Sequence, residues 1–248
     1  MKVALLVAYD GTDFHGFARQ RTARTVQGVL EEALSMVLRE PIELTCAGRT
    51  DAGVHASGQV VSFEAPEVEP ERLQRRVNRL LAPEVSVRGA ARASDSFDAR
   101  FSARRRSYEY RCYRAAAPDP FLDRFALHLP GEVSVRAMRA GARALVGEHD
   151  FSAFCRKGQG SLVRRVRSIT IVSAAESLTF KLTADSFCHQ MVRSIIGLLL
   201  DVGRGKRGPE SVAAALGRKD RGAAGNVAPA RALHLTRVLY RPDPFQPF

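Results

Sequence analysis

One carboxylate stands alone in the stretch Ala47-Gly48-Arg49-Thr50-Asp51-Ala52-Gly53-Val54-His55-Ala56. The apolar, strand-like runs Ile42 to Ala47 and Gly58 to Phe63 bracket it, so Asp51 lies in a polar loop between two expected strands. Gly48 and Gly53 let the backbone take positive φ angles and let a bulky ligand come close, although ordinary turns use glycine for the same reason. No second acid is nearby in sequence, which counts against a paired-carboxylate hydrolase read locally; a partner distant in the chain stays open. A single carboxylate suits a nucleophile. At an ordinary pKa of about 3.9 it is already ionised at neutral pH. The competing reading is a turn aspartate paired with Arg49.

Two further stretches hold reactive or binding groups in unusual settings. From Arg104-Arg105-Arg106 through Ser107-Tyr108-Glu109-Tyr110-Arg111-Cys112-Tyr113-Arg114, a period of two puts Ser107, Glu109 and Arg111 on one strand face. Tyr108, Tyr110 and Cys112 fall on the other. Guanidinium groups interleaved with rings suit nucleic acid, where cations meet phosphates and rings stack on bases, although one of these tyrosines, Tyr110 above all, reads equally well as core. Arg193 lies between Val192 and Ile195 in an otherwise greasy helix, where a charge needs a partner or must snorkel to solvent.

The elements that must position these groups can be read in order. Lys2 to Tyr9 is an apolar first strand, too short for a signal peptide. Val26, Val29, Leu30, Ala33, Leu34, Val37 and Leu38 form one helical stripe, with Thr25 as N-cap and Pro41 beyond its end. After the Asp51 loop come a helix through Leu73, Val77, Leu80 and Leu81, a strand from Val85 to Ala93, and the Arg104–Arg114 strand. Three prolines in Pro118 to Pro130 predict a long loop and a boundary, giving halves at 1–115 and 116–248. The second half repeats the outline with helices near 135–146 and 189–202, strands near 163–173 and 178–184, a short helix at 210–216 and a last strand at 233–240. Mixed rather than alternating order argues for an α+β fold.

With 248 residues, 45% of them hydrophobic, the chain supports a real core, and its net charge of +12 favours polyanion partners, nucleic acid first. The excess is mostly arginine, which suits phosphate and base contacts but also follows from GC-rich codons. Cys46, Cys112, Cys155 and Cys188 are widely spaced, so buried free thiols in a reducing cytosol are expected. Neither a zinc ribbon nor a membrane span is indicated. His15, His55 and His189 read as structural or RNA-contacting groups, not metal ligands.

From first strand to last, the chain resembles the tRNA pseudouridine synthase A family. The likeness rests on Tyr9-Asp10-Gly11-Thr12 through Gly16-Phe17, on Thr25-Val26-Gln27, and on the highly specific Gly48-Arg49-Thr50-Asp51-Ala52-Gly53-Val54-His55. Phe97-Asp98-Ala99-Arg100-Phe101, Asp150-Phe151-Ser152-Ala153-Phe154 and Met191-Val192-Arg193 extend it. The resemblance implies two similar ferredoxin-like α/β halves of the pseudouridine synthase fold, with mainly antiparallel sheets, helices packed on one side and the active-site cleft between them. It also implies a cytoplasmic, homodimeric isomerase that uses no cofactor or metal and converts uridine to pseudouridine at positions 38, 39 and 40 of the tRNA anticodon stem and loop.

On that likeness Asp51 is the catalytic aspartate, attacking either C1′ of the ribose or C6 of the base. Arg49 helps extrude the base and fills its place; Tyr108 stacks on the flipped uracil, its hydroxyl assisting removal of the C5 proton. Arg193 pairs with the aspartate, and Leu233 packs on the other face of the base. Arg104, Arg105, Arg106, the group Arg164, Arg165 and Arg167, and the loop Arg204 to Arg207 line a surface for tRNA. Two departures touch the pocket walls. Ala232 and His234 stand where the family has glycine and usually tyrosine, and Ser186-Phe187-Cys188-His189-Gln190 lacks a glycine and the second histidine common before the methionine. The rival readings are a catalytically silent tRNA-binding protein or chaperone of the same fold, and a nucleosidase that would release free base.

Overall fold

The computed structural model describes residues 1–156 and 160–245, which form ten strands and five α-helices in an α+β arrangement. The chain divides into two compact units, Met1–Arg105 with His234–Phe248, and Arg106–Leu233. The expected halves at 1–115 and 116–248 therefore differ from the units at two places. The Arg105/Arg106 junction comes earlier, and the final strand returns to the first unit.

In the first unit β1 (Lys2–Tyr9) lies between β3 (His55–Glu64) and β4 (Val85–Arg92), antiparallel to both. β2 (Thr45–Cys46) pairs with β3, and β10 (Leu233–Leu239) joins β3 in parallel, His234 opposite His55 and Leu235 opposite Ala56. Alternate residues Val3, Leu5, Val7 and Tyr9 are buried, as a sheet covered by helices requires. α1 (Val26–Leu38) begins where predicted: Thr25 is extended and its hydroxyl accepts from Gly28 N. α1 stops at Arg39, left-handed, whose N–H bonds Ser35 O. α2 (Pro70–Leu81) opens on proline, which needs no N–H there, and buries Leu73, Val77 and Leu81 at spacings of four.

The second unit orders its strands β5 (Arg105–Tyr113), β9 (Ser177–Ala184), β8 (Val163–Ser173) and β7 (Gly147–Asp150), antiparallel throughout. α3 (Val135–Ala142), α4 (Met191–Gly203) and α5 (Glu210–Arg218) complete it. The burial of β5 follows the predicted alternation: Tyr108, Tyr110 and Cys112 are buried, while Ser107, Glu109 and Arg111 are not.

Several expectations are corrected. The strand foreseen at 42–47 pairs only at Thr45–Cys46, while β3 starts at His55, directly after the motif. The loop 118–130 contains β6 (Leu127–His128), parallel to β5, and the helix near 135–146 ends at Ala142 before a 3-10 turn, Arg143–Leu145. β7 was not foreseen, because Gly147-Glu148-His149-Asp150 has no apolar alternation and becomes a strand only by pairing with β8. Lastly, Cys155 and Cys188 are not free thiols: their sulfurs are bonded, across a Cα separation of 5.8 Å. Spacing hid this pair, since 33 residues separate them. Cys46 and Cys112 remain free. Among the described residues no helix is long and apolar enough to cross a membrane, and no group of three or more His, Cys, Asp or Glu side chains is arranged to hold a metal ion.

Candidate active site

A loop outside regular secondary structure must be held by something other than itself, and here the motif segments supply the hold. The Asp51 loop runs from β2 to β3, closed by the bond from Val54 N to Asp51 O at 3.1 Å. The segment after β1 lies against it. Phe17 N donates to Thr50 O at 3.0 Å, the Tyr9 and Thr50 hydroxyls bond at 2.8 Å, and Gly11 N donates to His55 Nδ1 at 3.0 Å. The approach is closest at the glycines. A Cβ at Gly11 would sit 2.0 Å from Val54 O, and one at Gly16, whose φ is +93°, would sit 2.9 Å from Thr50 O. Only glycine permits this contact of two backbones.

The same segment also starts α1, since Gly16 O and Phe17 O accept from Val26 N and Gln27 N. On the other flank Gln59, fully buried in β3, donates through Nε2 to Gly48 O at 2.6 Å. Phe97–Phe101 is tied to the same unit by Ser62 Oγ, which accepts from Ala99 N at 2.9 Å, and by the Tyr240 hydroxyl, which donates to Ala99 O at 2.7 Å. Motifs scattered over ninety residues of sequence are thus braced within one unit, and the Tyr9–Phe17 segment is bonded directly to the Asp51 loop and His55. Asp51 is half-buried and Arg49 exposed. That exposure suits a group that meets a ligand.

His55 is 2% exposed; it lies near Asp10, with Nδ1 to Oδ1 at 3.1 Å, and its ring stacks on His234 at 4.8 Å. Its Nδ1 accepts from Gly11, so it serves the fold. His234, the departure from the family pattern, fills a buried stacking position, and Ala232 is fully buried.

Tyr108 and Arg193 belong to the second unit. The Tyr108 ring, 8% exposed, meets Phe187 edge-on at 5.2 Å. Tyr110 is fully buried and packs on Phe180, so it is core, and burial drives its hydroxyl far above the usual tyrosine range. Arg193, on the first turn of α4, donates from Nε to Ala228 O at 2.8 Å, while Ala228 N donates to Arg193 O at 3.1 Å. It is half-buried and anchored, not a side chain spread into solvent. Leu233 is 5% exposed at the start of β10. In the motif Asp150–Phe154, Asp150 Oδ1 accepts from the Ser152 hydroxyl and N–H, and Lys219 approaches Oδ2 at 3.0 Å. The Ser152 hydroxyl, then Lys219 and the Ser152 N–H, hold that carboxyl below its ordinary value.

The arginines expected to line an RNA surface fall into two groups. Arg104, Arg105, Arg204 and Lys206 are exposed. Arg106 donates to Asp185 O at 2.8 Å, Arg165 pairs with Glu148 at 3.0 Å, and Arg167 makes two 2.7 Å bonds to the Asp185 carboxylate. Those arginines have partners within the fold. Two contributors were not singled out from sequence: Phe187, placed against Tyr108, and the Ala228 carbonyl, placed on Arg193. A backbone carbonyl leaves no mark in sequence. Phe187 lay in a segment noted only for what it lacks.

Residues 5–102 and 142–241 match the family described as tRNA pseudouridine synthase. Proteins named tRNA pseudouridine synthase A align over nearly the whole chain. That of Frankia casuarinae is 46% identical, covering 98% of this chain and 91% of its own. That of Corynebacterium glutamicum is 43% identical, covering 97% and 89%, and that of Bacillus subtilis 39%, covering 97% and 99%. The matched spans contain the braced Asp51 loop and α4 with Arg193, and on this ground the chain belongs to the tRNA pseudouridine synthase family.

Proposed function

We propose that this chain isomerises uridine to pseudouridine in tRNA, at positions 38, 39 and 40 of the anticodon stem and loop, with Asp51 as nucleophile. The observation that carries the assignment is the Asp51 loop: a half-exposed carboxylate on a segment whose backbone is pinned by the Gly11–Phe17 segment and by Gln59. Such pinning holds a nucleophile in reacting geometry without spending substrate binding energy on ordering it.

The reaction breaks the N1–C1′ bond, turns the uracil in place and joins C5 to C1′, so no atom is gained or lost and no cofactor is called for. The target atoms are shielded in a stacked stem, and the base must first leave it. Exposed Arg49 is the residue to occupy the vacated space. Asp51 then adds to C1′ or to C6, either route giving a covalent intermediate that the rotated base resolves. Tyr108, its ring fixed edge-on by Phe187, gives the uracil a stacking surface and brings a hydroxyl toward the C5 proton. Leu233 is assigned the opposite face. Arg193 is the cation whose role is to keep the carboxylate ionised as the base excludes water.

Exposed Arg104, Arg105, Arg204 and Lys206 are available to phosphates, with Arg106 contributing from a half-buried position. The reading includes a homodimer acting in the cytoplasm, each tRNA meeting both subunits; the family resemblance is what supports it.

The test pairs wild type with Asp51→Asn on unmodified tRNA carrying uridines at 38 to 40, reading pseudouridine by nucleoside analysis and tRNA binding by filter retention at fixed salt. Wild type is expected to form pseudouridine without added metal or cofactor, and the variant to bind tRNA and form none. Binding without modification or uracil release by wild type would replace the isomerase with a silent tRNA-binding protein.

A further inference from the structure

The structure holds α4 at three successive levels with one short segment, Arg221 to Ala228. At the first level is Gln190, the residue preceding the helix, which takes a left-handed conformation with φ 65° and ψ 2°. That backbone costs a residue with a side chain about 1–2 kcal/mol and persists only where the surroundings fix it. Gln190 is fixed from outside the helix: its Oε1 accepts from Arg221 Nη2 at 2.5 Å. Its carbonyl accepts the first helical bond, from Ser194 N at 2.9 Å.

At the second level Arg193 and Ala228 exchange two bonds, Nε to Ala228 O and Ala228 N to Arg193 O. The Nε bond ties one edge of the guanidinium plane to the backbone. At the third level a Cβ at Gly197 would lie 1.8 Å from Asn226 O, so the segment crosses that face of α4 in direct contact.

We propose that Arg221 and Gln190 form a latch that positions the Arg193 guanidinium for the reaction. They are positioning residues and touch no reacting atom. The inference rests on the reading of Arg193 as the cation of the isomerase site. If the Arg221 bond is lost, the left-handed start of α4 loses one of its outside supports, the others being the Cys155–Cys188 bond and the bond from Arg156 N to His189 O, and the Arg221–Ala228 segment loses one of the points that hold Ala228 against Arg193. Both changes act on the orientation of one side chain. Gln190 stands where the family resemblance commonly has a second histidine, and the arginine that bonds it comes from thirty-one residues further on. The competing role is a phosphate contact: Arg221 Nη1 is buried without a hydrogen-bond partner among the described residues, and a phosphate oxygen would satisfy it.

The experiment compares wild type, Arg221→Met, Gln190→Leu, the double variant and Arg221→Lys in single-turnover pseudouridine formation, with tRNA Kd measured in parallel and folding checked by thermal melts. Each single removal is expected to slow the chemical step roughly tenfold, since about 1 Å of misplacement can cost up to a hundredfold, while tRNA Kd stays unchanged. The double variant should be no slower than the slower single, as expected for two halves of one contact. Arg221→Lys, which keeps a cationic donor, should recover part of the rate and covers the case in which the methionine variant does not fold. Losses that multiply in the double variant, or unchanged rates in an active enzyme, overturn the latch. Weakened tRNA binding with an unchanged chemical step also overturns it and makes Arg221 a phosphate contact. A wild type that binds tRNA but forms no pseudouridine overturns the reaction assignment itself, a result separate from all of these.

Discussion

Replacing Gly16 by alanine tests whether the bracing of the Asp51 loop sets the position of the carboxylate. Two costs arise. Gly16 has φ +93°, and a left-handed backbone costs a residue with a Cβ about 1–2 kcal/mol. In addition the new Cβ would lie 2.9 Å from Thr50 O, 3.3 Å from Ala52 N and 3.4 Å from Asp51 C. Carbon–oxygen contacts settle at roughly 3.3 Å or more, so the Thr50–Asp51 backbone must retreat by about half an ångström. The protein supplies its own control at Gly131, which has φ +77° and nothing within 4 Å of the built Cβ.

Gly131→Ala should therefore lose about 1–2 kcal/mol from backbone strain alone, a fall in Tm of roughly 2–8 °C for a chain of this size. Overpacking adds a further ~1–3 kcal/mol to Gly16→Ala. The two variants should separate more sharply in single-turnover pseudouridine formation. Gly131→Ala should react at the wild-type rate, and Gly16→Ala about tenfold more slowly with tRNA binding intact. A Gly16→Ala enzyme that melts lower but reacts at the wild-type rate would refute the claim that this contact positions Asp51. Equal slowing at Gly131 would show the effect to be global softening.

Three other outcomes are expected. Tyr110→Phe should be neutral or stabilising by up to ~1 kcal/mol in urea unfolding, because the fully buried hydroxyl has no hydrogen-bond partner among the described residues; a loss beyond that range would expose a bond not accounted for. Ser152→Ala should lower stability by about 0.5–1.5 kcal/mol at pH 6. Asp150 has a depressed folded pKa, so its contribution is full above the ordinary carboxylate value of about 3.9 and is lost as pH falls through the lower folded value. The difference between wild type and Ser152→Ala should thus shrink on acidification, and a difference that grows toward acid would contradict the assigned cause. Finally, thiol titration of the unfolded, unreduced protein should find Cys46 and Cys112 alone, and reduction should add Cys155 and Cys188. In the native state Cys46 and Cys112 should react slowly, because burial pushes their thiols up to about 11 and about 12.

Most elements were legible because their cause is local. The α1 stripe, its Thr25 cap and the alternation in β5 each follow from the period of the backbone, and each was found at nearly the expected bounds. β7, the short pairing at β6 and the early start of β3 were not legible, since those residues become strands by finding a partner. The last strand shows the same limit. Its sequence announces a strand, but that it leaves the second unit to lie parallel to β3 depends on long-range pairing.

By itself the sequence determined the family, the residue types available for catalysis and the loop that carries the carboxylate, because these are written in contiguous motifs. Tertiary structure alone decided how the motifs serve one another. Gly11 and Gly16 are needed for the closeness of two backbones, His55 receives a backbone N–H, and Arg193 is gripped by the carbonyl of Ala228. The physical reason is that carbonyls, amides and the space left by a missing Cβ carry no residue identity. They become specific partners only when the chain has folded and brought them within hydrogen-bond distance.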